Sequence, residues 1–288
     1  MPEVLVIKRV GGLYELLDQQ GERFTGKSRG KNKESGILIG DWVVLGDEQM
    51  IERVLPRKNQ LVRPPLANVD QQILVFTLTH PPLHRDLLEK MLLQGELEGI
   101  HNVIVLQKSD TNDPKEARDL ANEYRLAGYP VVETSAYEKT GLEELHTILH
   151  KKISVFAGPS GVGKSSLLNA LFPTYHLETG ELSEKIQRGK HTTRHAELYG
   201  DWDRGLIADT PGFYKLESPF VEPRKLAETF PEMREALGKC RFNSCIHDKE
   251  PDCAVKDLLA AGSLSSGRYE TYLQLLHEMQ ERERGQYQ

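Results

Sequence analysis

The most informative segment of this 288-residue sequence is Gly158-Pro-Ser-Gly-Val-Gly163-Lys164-Ser165, which matches the pattern G-x-x-x-x-G-K-[S/T]. It lies between an apolar run predicted as a strand, Ile153–Ala157, and a predicted helix over Ser166–Leu171. Glycines in this setting let backbone N–H groups surround a phosphate, while the lysine reaches the β- and γ-phosphates and the serine ligates Mg²⁺. Because the strand–loop–helix context disfavours the alternative, a chance glycine-rich turn, the segment predicts a phosphate-binding loop. The predicted contacts come from Gly158, Ser160, Gly161, Val162, Gly163, Lys164, Ser165 and Ser166.

The sequence around this loop alternates between short apolar runs and longer helical patterns. The predicted helices are Leu87–Leu97, Pro114–Ala127 and Leu142–His150. The predicted strands are Ile73–Leu78, Asn102–Leu106, Val131–Glu133, Ile153–Ala157 and Gly205–Ala208. Continuous apolar strands separated by helices predict a parallel sheet that helices cover on both faces.

The first 65 or so residues show a different pattern, with short strands and no helical period. The predicted strands are Val4–Ile7, Tyr14–Leu17, Gly36–Leu45 and Met50–Leu55. Such spacing favours a small β-barrel of the OB or SH3-like type. The basic segment Arg23–Lys33 is interpreted either as a solvated hairpin loop or as a mobile loop that contacts phosphates. Pro64-Pro65 breaks secondary structure and marks a boundary.

Composition excludes several classes of protein. The chain has 37 basic and 43 acidic side chains, a net charge of −6, so nucleic acid could be contacted only through local basic patches. Its apolar runs are far shorter than the ~20 residues that span a bilayer, and the N-terminus does not read as a secretory signal. The three cysteines are clustered, which favours a reducing compartment over a disulfide framework.

The cysteine cluster predicts a structural metal site. Cys240, Cys245, His247 and Cys253 follow the spacing C-x₄-C-x-H-x₅-C. Three sulfur ligands and one imidazole suit tetrahedral Zn²⁺, and four protein ligands leave no open catalytic position. The alternative is three buried free cysteines that act as small hydrophobic residues. A short helix is expected at Asp257–Ala261, and the resemblance described below implies that a further helix follows at Ser265–Arg284.

Two polar segments follow predicted strands and suit the reading of a purine base. In Gln107-Lys108-Ser109-Asp110, the Asp110 carboxylate can accept from guanine N1–H and its 2-amino group, which adenine lacks. The Lys108 stem can cover the base. In Thr134-Ser135-Ala136, a backbone N–H of Ser135 or Ala136 can bond guanine O6. Each is weak evidence alone, but both are expected at the carboxyl edge of the sheet, where ligands bind.

A further segment, Asp209-Thr-Pro-Gly212, follows the predicted strand Gly205–Ala208. Asp209 could hold Mg²⁺ through water, and the Gly212 N–H could contact a γ-phosphate, in a loop that moves when this phosphate leaves. As a lone tetrapeptide it could be an ordinary β-turn, but after a phosphate loop a functional role is favoured.

These motifs are those of a small GTPase in a shifted order. The base-reading segments come first, followed by the phosphate loop, then Arg188-Gly-Lys-His191-Thr192-Thr193, then Asp209–Gly212. With the N-terminal Gly40-Asp-Trp-Val43 and the cysteine cluster, the sequence resembles the circularly permuted GTPase family that depends on the small ribosomal subunit (RsgA type). The family usually has Asn-Lys-x-Asp as its base-reading motif, whereas this chain has Gln107.

The resemblance implies three domains: an OB-fold β-barrel over residues 1–66, a circularly permuted α/β P-loop GTPase domain over 67–218, and a helical zinc-binding domain over 219–288. It implies a cytoplasmic enzyme that hydrolyses GTP to GDP and phosphate with Mg²⁺. The implied partners are the 30S ribosomal subunit and its 16S rRNA late in subunit assembly, with the subunit stimulating hydrolysis. We expect a monomer that does not bind membranes.

The resemblance also assigns catalytic roles. Lys164 stabilises charge. Thr193, or alternatively Thr192, would complete the Mg²⁺ shell together with Ser165 when GTP is bound. Phe213 follows Gly212, where ordinary small GTPases keep a water-orienting glutamine nearby, so the family resemblance points to His191 for this task. Imidazole can accept from an attacking water near neutral pH. The alternative role of His191 is to contact RNA or to stabilise its loop.

Two other functions stay open on the sequence alone. One is a zinc-stapled RNA-binding adaptor in which the nucleotide is mainly structural. The other is a P-loop ATPase or kinase, which a preference for ATP over GTP would indicate.

Overall fold

The computed structural model describes residues 2–28, 36–61, 65–173, 197–208 and 219–286. Within these ranges the chain forms an N-terminal barrel, a central sheet with helices on both faces, and a helical C-terminal region. The predicted fold class is confirmed in each of these three parts.

The barrel is closed and has five strands. They are β1 (Glu3–Val10), β2 (Leu13–Leu17), β3 (Arg23–Ser28), β4 (Trp42–Leu45) and β5 (Met50–Val54). The order around the barrel is β1-β2-β3-β5-β4, with β4 returning to β1 and β3 parallel to β5. Alternate side chains such as Leu5, Leu16 and Ile51 are fully buried inside it. This is the five-stranded barrel of the OB type.

The structure corrects the prediction of a basic loop over Arg23–Lys33. Arg23–Ser28 is strand β3, which pairs with β2 and β5, and residues 29–35 lie outside the described part of the chain. Only Gly26 of β3 is buried, so the strand carries no apolar alternation by which it could be predicted. Arg23 NH2 donates to Gly200 O (2.7 Å) and is thereby committed to an intramolecular contact.

The central sheet has six strands within the described residues. They are β8 (Gln71–Phe76), β9 (His101–Gln107), β10 (Val131–Thr134), β11 (Ile153–Ala157), β12 (Leu198–Asp201) and β13 (Gly205–Ala208); a short pair, β6 (Gln60–Leu61) and β7 (Leu66–Ala67), connects the barrel to them. The order is β10-β9-β8-β11-β13-β12, and all neighbours are parallel except β12 and β13. The phosphate loop therefore follows a strand in the interior of the sheet.

Four helices cover the two faces of the sheet, as the continuous apolar strands predict. They are α1 (Arg85–Glu98), α2 (Pro114–Leu126), α3 (Leu142–Leu149) and α4 (Lys164–Leu171). Apolar residues of α1 and α2 pack with Leu74, Ile104 and Leu106 on one face. Those of α3 and α4 pack with Ile73 and Val105 on the other.

The C-terminal region is built from short 3₁₀ segments and two helices around its own core. The 3₁₀ segments are Pro223–Thr229 and Pro231–Ala236, and the helices are α5 (Ala254–Ala260) and α6 (Ser266–Gln286). Leu226, Met233 and Tyr272 are fully buried there, together with Leu93 of α1. Among the helices of the described ranges, none combines the length and the apolar character needed to cross a bilayer.

The barrel contacts the central sheet at its edge strand, β12. Lys8 Nζ donates to Glu197 Oε1 (2.7 Å), and the two residues also form a backbone bridge. Trp42 and Trp202 stack with ring centroids 5.7 Å apart, and Trp202 Nε1 donates to Asp18 O (2.7 Å). We call this set of contacts the barrel junction.

The C-terminal region contacts α1, one of the helices that cover the sheet, through a buried arginine. Arg268 of α6 is 2% exposed; its Nε donates to Glu232 Oε1 (2.7 Å) and its NH1 donates to Glu89 Oε2 of α1. Tyr124 OH of α2 donates to the other oxygen of Glu89 (2.8 Å). Burial alone would lower the pKa of Arg268, but the two carboxylates raise it above its usual value, so the guanidinium stays charged. We call this set the arginine junction.

Candidate nucleotide-binding and metal sites

The phosphate loop joins the carboxyl end of β11 to the first turn of α4. A Cβ on Gly158, whose φ is +143°, would collide with Val75 O of the neighbouring strand. Gly163 has φ +93° and is the N-cap of α4, and a Cβ there would lie 3.4 Å from Gln107 Cγ. Glycine is thus required at both positions, by close approach and by backbone conformation.

Lys164 turns back over the loop that precedes it. Its Nζ donates to Gly158 O (2.8 Å) and Pro159 O (2.7 Å). Burial lowers the pKa of Lys164 to about 8. A phosphate beside the ammonium would favour its charged form, so the position is suited to an anionic ligand.

The remaining predicted loop residues divide into two groups. Val162 is 1% exposed and packs in the core, so that only its backbone is available to a ligand. Ser160 and Gly161 lie in the turn before α4, and Ser165 and Ser166 lie in the first turn of this helix. The structure therefore places the whole predicted loop at one edge of the sheet.

Lys108 connects the base-reading segment to the phosphate loop. The residue has φ +62°, and its Nζ donates to Gly161 O (2.9 Å) and His80 O (2.6 Å). A Cβ on Gly163 would lie 3.8 Å from Lys108 Cε, so the lysine stem crosses the phosphate loop. Asp110 is exposed two positions further on, in the 3₁₀ turn Ser109–Thr111. The Lys108 stem and the Asp110 carboxylate are therefore both available to a base bound beside the phosphate loop.

Gln107 joins the two base-reading segments. The side chain is 2% exposed. In the amide orientation that satisfies both atoms, Nε2 donates to Thr134 O (3.0 Å) and Oε1 accepts from Ala136 N (3.3 Å). Thr134 and Ser135 are fully buried. Gln107 therefore braces the Thr134–Ala136 segment against the phosphate loop.

No sequence motif predicts one contact of this site, the bond between Lys108 Nζ and His80 O. The turn after β8 contains the cis peptide His80–Pro81, and Thr77 Oγ1 donates to Pro81 O (2.6 Å). The turn presents His80 O to Lys108 Nζ. Pro81-Pro82, which follows the buried strand β8 after four residues, is the signal that could have indicated a specialised turn here.

Several predicted site residues cannot be compared with the structure. His191, Thr193, Asp209 and Gly212 lie outside the described residues. Their roles stay predictions. The described chain resumes at Glu197, four positions after Thr193.

The four predicted zinc ligands meet at one point in the C-terminal region. The ligand atoms of Cys240, Cys245, His247 and Cys253 all lie within 4.8 Å of one another. His247 Nδ1 lies 3.5 Å from Cys240 Sγ and from Cys245 Sγ, and 3.4 Å from Cys253 Sγ. Cys240 Sγ and Cys253 Sγ are 3.9 Å apart. With Zn–S bonds of about 2.3 Å, tetrahedral geometry would separate sulfur ligands by about 3.8 Å. The donor set therefore fits a zinc ion.

The surroundings of the cluster hold its histidine in place. Tyr269 OH donates to His247 O (2.8 Å), and Tyr272 OH donates to Ile246 O (2.7 Å). Glu250 accepts from the N–H groups of Ile246 (2.8 Å) and Asp248 (3.0 Å). Burial lowers the pKa of His247, which favours the neutral imidazole that ligates metals.

Residues 54–219 match the family model described as RsgA GTPase. A relative from Alkaliphilus metalliredigens, named small ribosomal subunit biogenesis GTPase RsgA, is 43% identical over 287 residues, which cover 97% of this chain and 98% of the relative. A relative of the same name from Caldanaerobacter subterraneus is 44% identical and covers 98% of this chain and 97% of its own length.

Solved structures agree with these sequence relatives. The crystal structure of YjeQ from Thermotoga maritima superposes with a TM-score of 0.82 at 36% identity, covering 96% of this chain and 98% of that one. The structure of YloQ, described as a circularly permuted GTPase, gives a TM-score of 0.79 at 36% identity, over 98% of this chain and 96% of that one.

Proposed function

The chain belongs to the RsgA GTPase family, and from this premise we propose that it hydrolyses GTP to GDP and phosphate while it assists the maturation of the small ribosomal subunit. The observation that carries the proposal is the convergence of three predicted motifs at one edge of the sheet. Lys108 bonds the phosphate loop at Gly161 O, and Gln107 contacts Ala136 N. A base and its phosphates could therefore be bound at once.

In the proposed mechanism, the chain acts by positioning and by stabilising charge. The loop N–H groups and Lys164 bind the phosphates, with Asp209 and Gly212 near the γ-phosphate. Asp110 accepts from guanine N1–H and its 2-amino group. Ser165 and Thr193 would hold Mg²⁺, which neutralises phosphate charge when bound. His191 is proposed to position the attacking water.

The proposed domain boundaries are residues 1–66 for the barrel, 67–218 for the GTPase domain and 219–288 for the zinc-binding domain. We assign one structural Zn²⁺ to Cys240, Cys245, His247 and Cys253. Since these four ligands complete a tetrahedron, the ion would have no open position for catalysis. The separate five-stranded barrel and six-stranded sheet, and the C-terminal core formed around Leu226 and Tyr272, support this division.

The proposed partners are the 30S subunit with its 16S rRNA, and GTP and GDP as ligands. The names of the relatives support the subunit, since they refer to biogenesis of the small ribosomal subunit. The remaining elements of the proposal are a monomeric state and a location in the cytoplasm, where subunits are assembled. Contact with RNA would be local, because the net charge of the chain is −6.

The decisive experiment measures phosphate release from GTP across a titration of purified 30S subunits, at one stated salt concentration. We expect subunits to stimulate hydrolysis by the unaltered chain. Lys164→Ala should lower the stimulated rate by about a hundredfold, because a charge beside the transferred phosphate is lost. The matched control is Lys115→Ala, an exposed lysine at the start of α2 that has no place in the proposed site.

The outcome also separates the alternative functions. Binding of GDP without any hydrolysis in the presence of subunits would favour the RNA-binding adaptor. A preference for ATP over GTP would contradict the role of Asp110. Stimulated hydrolysis by Lys164→Ala at the normal rate would contradict the assignment of the phosphate loop.

A further inference from the structure

The loop after β10 carries an aromatic ring that has no role in the proposed mechanism. Tyr137 is 89% exposed, more than any other large apolar side chain of the described residues. It directly follows Ala136, whose N–H bonds Gln107 at the base-reading site. A large ring next to a ligand site and open to solvent has a face available for that ligand.

The exposure of Tyr137 does not come from a loose loop. Ser135 N donates to Thr140 O (3.2 Å), and Thr140 N donates to Ser135 O (3.2 Å). Inside this closed turn, Glu138 N donates to Ser135 Oγ (3.0 Å). Since Ser135 is fully buried, the turn is anchored to the sheet. The backbone therefore holds the Tyr137 position next to the site in a defined conformation.

The other side of the site already has a fixed apolar surface. Lys108 Nζ donates to His80 O and Gly161 O, so the far end of its methylene stem is fixed in place. Such a stem can cover one face of a purine. A planar base also has a second face. The Thr134–Ala136 segment, which precedes Tyr137, is hydrogen-bonded to Gln107, and Gln107 is the residue before Lys108 in the chain.

We propose that the Tyr137 ring stacks on the guanine base of the bound nucleotide, on the face opposite the Lys108 stem. The inference rests on the proposed nucleotide site and adds to it a positioning residue for the base. Stacking of an aromatic ring on a base does not depend on hydrogen-bond pattern. Tyr137 thus contributes affinity for the nucleotide, while Asp110 contributes the choice of guanine.

The test is GDP binding to the full chain, measured by calorimetry. Tyr137→Ala should weaken GDP binding about tenfold, a typical effect for the loss of one stacked base. Tyr137→Phe should stay within about twofold of the unaltered chain, because the ring stacks and the hydroxyl does not. The control Glu138→Gln changes an exposed neighbour in the same turn and should leave GDP binding unchanged.

A second ligand isolates the base from the phosphates. Tripolyphosphate, which has no base, should compete equally well with a fluorescent GDP analogue on the unaltered chain and on Tyr137→Ala. In subunit-stimulated hydrolysis, Tyr137→Ala should raise KM for GTP and leave kcat unchanged.

Several results would overturn the inference and leave the proposed function standing. They are equal GDP affinity in Tyr137→Ala and the unaltered chain, an equal weakening in Tyr137→Phe, and a matching loss of tripolyphosphate binding. Failure of the folded, unaltered chain to bind GDP would instead remove the proposed function itself.

Discussion

The barrel junction and the arginine junction connect two different domains to the same central sheet, by contacts of opposite character. At the barrel junction, the side chains of Lys8 and Glu197 are 34% and 22% exposed, and the tryptophan rings stack at an edge strand. At the arginine junction, Arg268 and Glu89 are 2% and 3% exposed. The ion pair of the barrel junction is therefore partly exposed to solvent, whereas that of the arginine junction is buried.

This difference has an energetic consequence. An exposed ion pair contributes about 0–1 kcal/mol, and an aromatic pair contributes about 0.5–1.5 kcal/mol beyond its burial. Removal of one partner from a buried pair destabilises a protein by about 3–5 kcal/mol. We therefore expect the C-terminal domain to unfold together with α1 and α2, and the barrel to separate more easily. The barrel junction is also closer to Thr193 in the sequence, because its residue Glu197 is four positions after Thr193.

The largest expected effect is that of zinc removal. Because binding of a structural zinc is coupled to folding, a strong chelator should unfold the C-terminal domain and with it the arginine junction. Both tryptophans of the chain, Trp42 and Trp202, lie at the barrel junction. Their fluorescence should change little while helical circular dichroism falls.

Cys253→Ser serves as the genetic counterpart of the chelator, and elemental analysis gives the zinc content. One zinc per chain in the unaltered protein is the expected value. A chain free of zinc that kept its full helical signal would contradict the metal assignment.

The next largest effect is expected from Arg268→Met. The substitution leaves the carboxylates of Glu89 and Glu232 buried without their cation, which should lower the free energy of unfolding by about 3–5 kcal/mol. Denaturant titration of the zinc-loaded chain measures this loss in the free energy of unfolding. The control is Arg241→Ala, whose pair with Asp252 is exposed on both sides, with an expected loss of about 0–1 kcal/mol.

An equally small loss for both variants would show that the arginine junction is no stronger than a surface contact. Adding Glu89→Gln to Arg268→Met should restore part of the stability, because one of the two uncompensated charges is then gone.

A smaller effect is expected from Trp202→Ala. The substitution removes the stack on Trp42 and the donor to Asp18 O, which together contribute about 1–2 kcal/mol in addition to the burial of the ring. Because the ring is only partly buried, the free energy of unfolding should fall by less than in Arg268→Met. Solution scattering should show a larger radius of gyration as the barrel separates. Lys8→Ala, which breaks the ion pair at the same junction, should change both quantities less.

A loss of stability in Trp202→Ala as large as that in Arg268→Met would break the comparison between the two junctions. The same substitution leaves Trp42 as the only tryptophan of the chain, so the fluorescence emission then comes from a single indole in the barrel.

The sequence predicts best those features that are local. The phosphate loop and the zinc ligands are encoded by short spacings, and the structure brings each group together. The buried parallel strands were also predictable, since β8 and β11 are wholly buried runs. By contrast, β3 was missed because one residue of it, Gly26, is buried and its pattern resembles a basic loop.

Contacts between distant segments could not be predicted in this way. Arg268 reads as an ordinary charged residue of a helix, and its partner Glu89 is 179 positions away. The bond from Lys108 to His80 O depends on how a turn after another strand is placed. A single sequence contains no signal for such pairings, because each partner alone is typical of a solvated surface.

The most direct test of the central claim concerns the base that Asp110 selects. Xanthine has a carbonyl where guanine has its 2-amino group, so it suits an asparagine amide and repels a carboxylate. Competition binding should show that the unaltered chain prefers GDP to xanthosine diphosphate by about a hundredfold or more, and that Asp110→Asn reverses this order. Unchanged preference in Asp110→Asn, or equal binding of ADP and GDP by the unaltered chain, would contradict guanine recognition at this site.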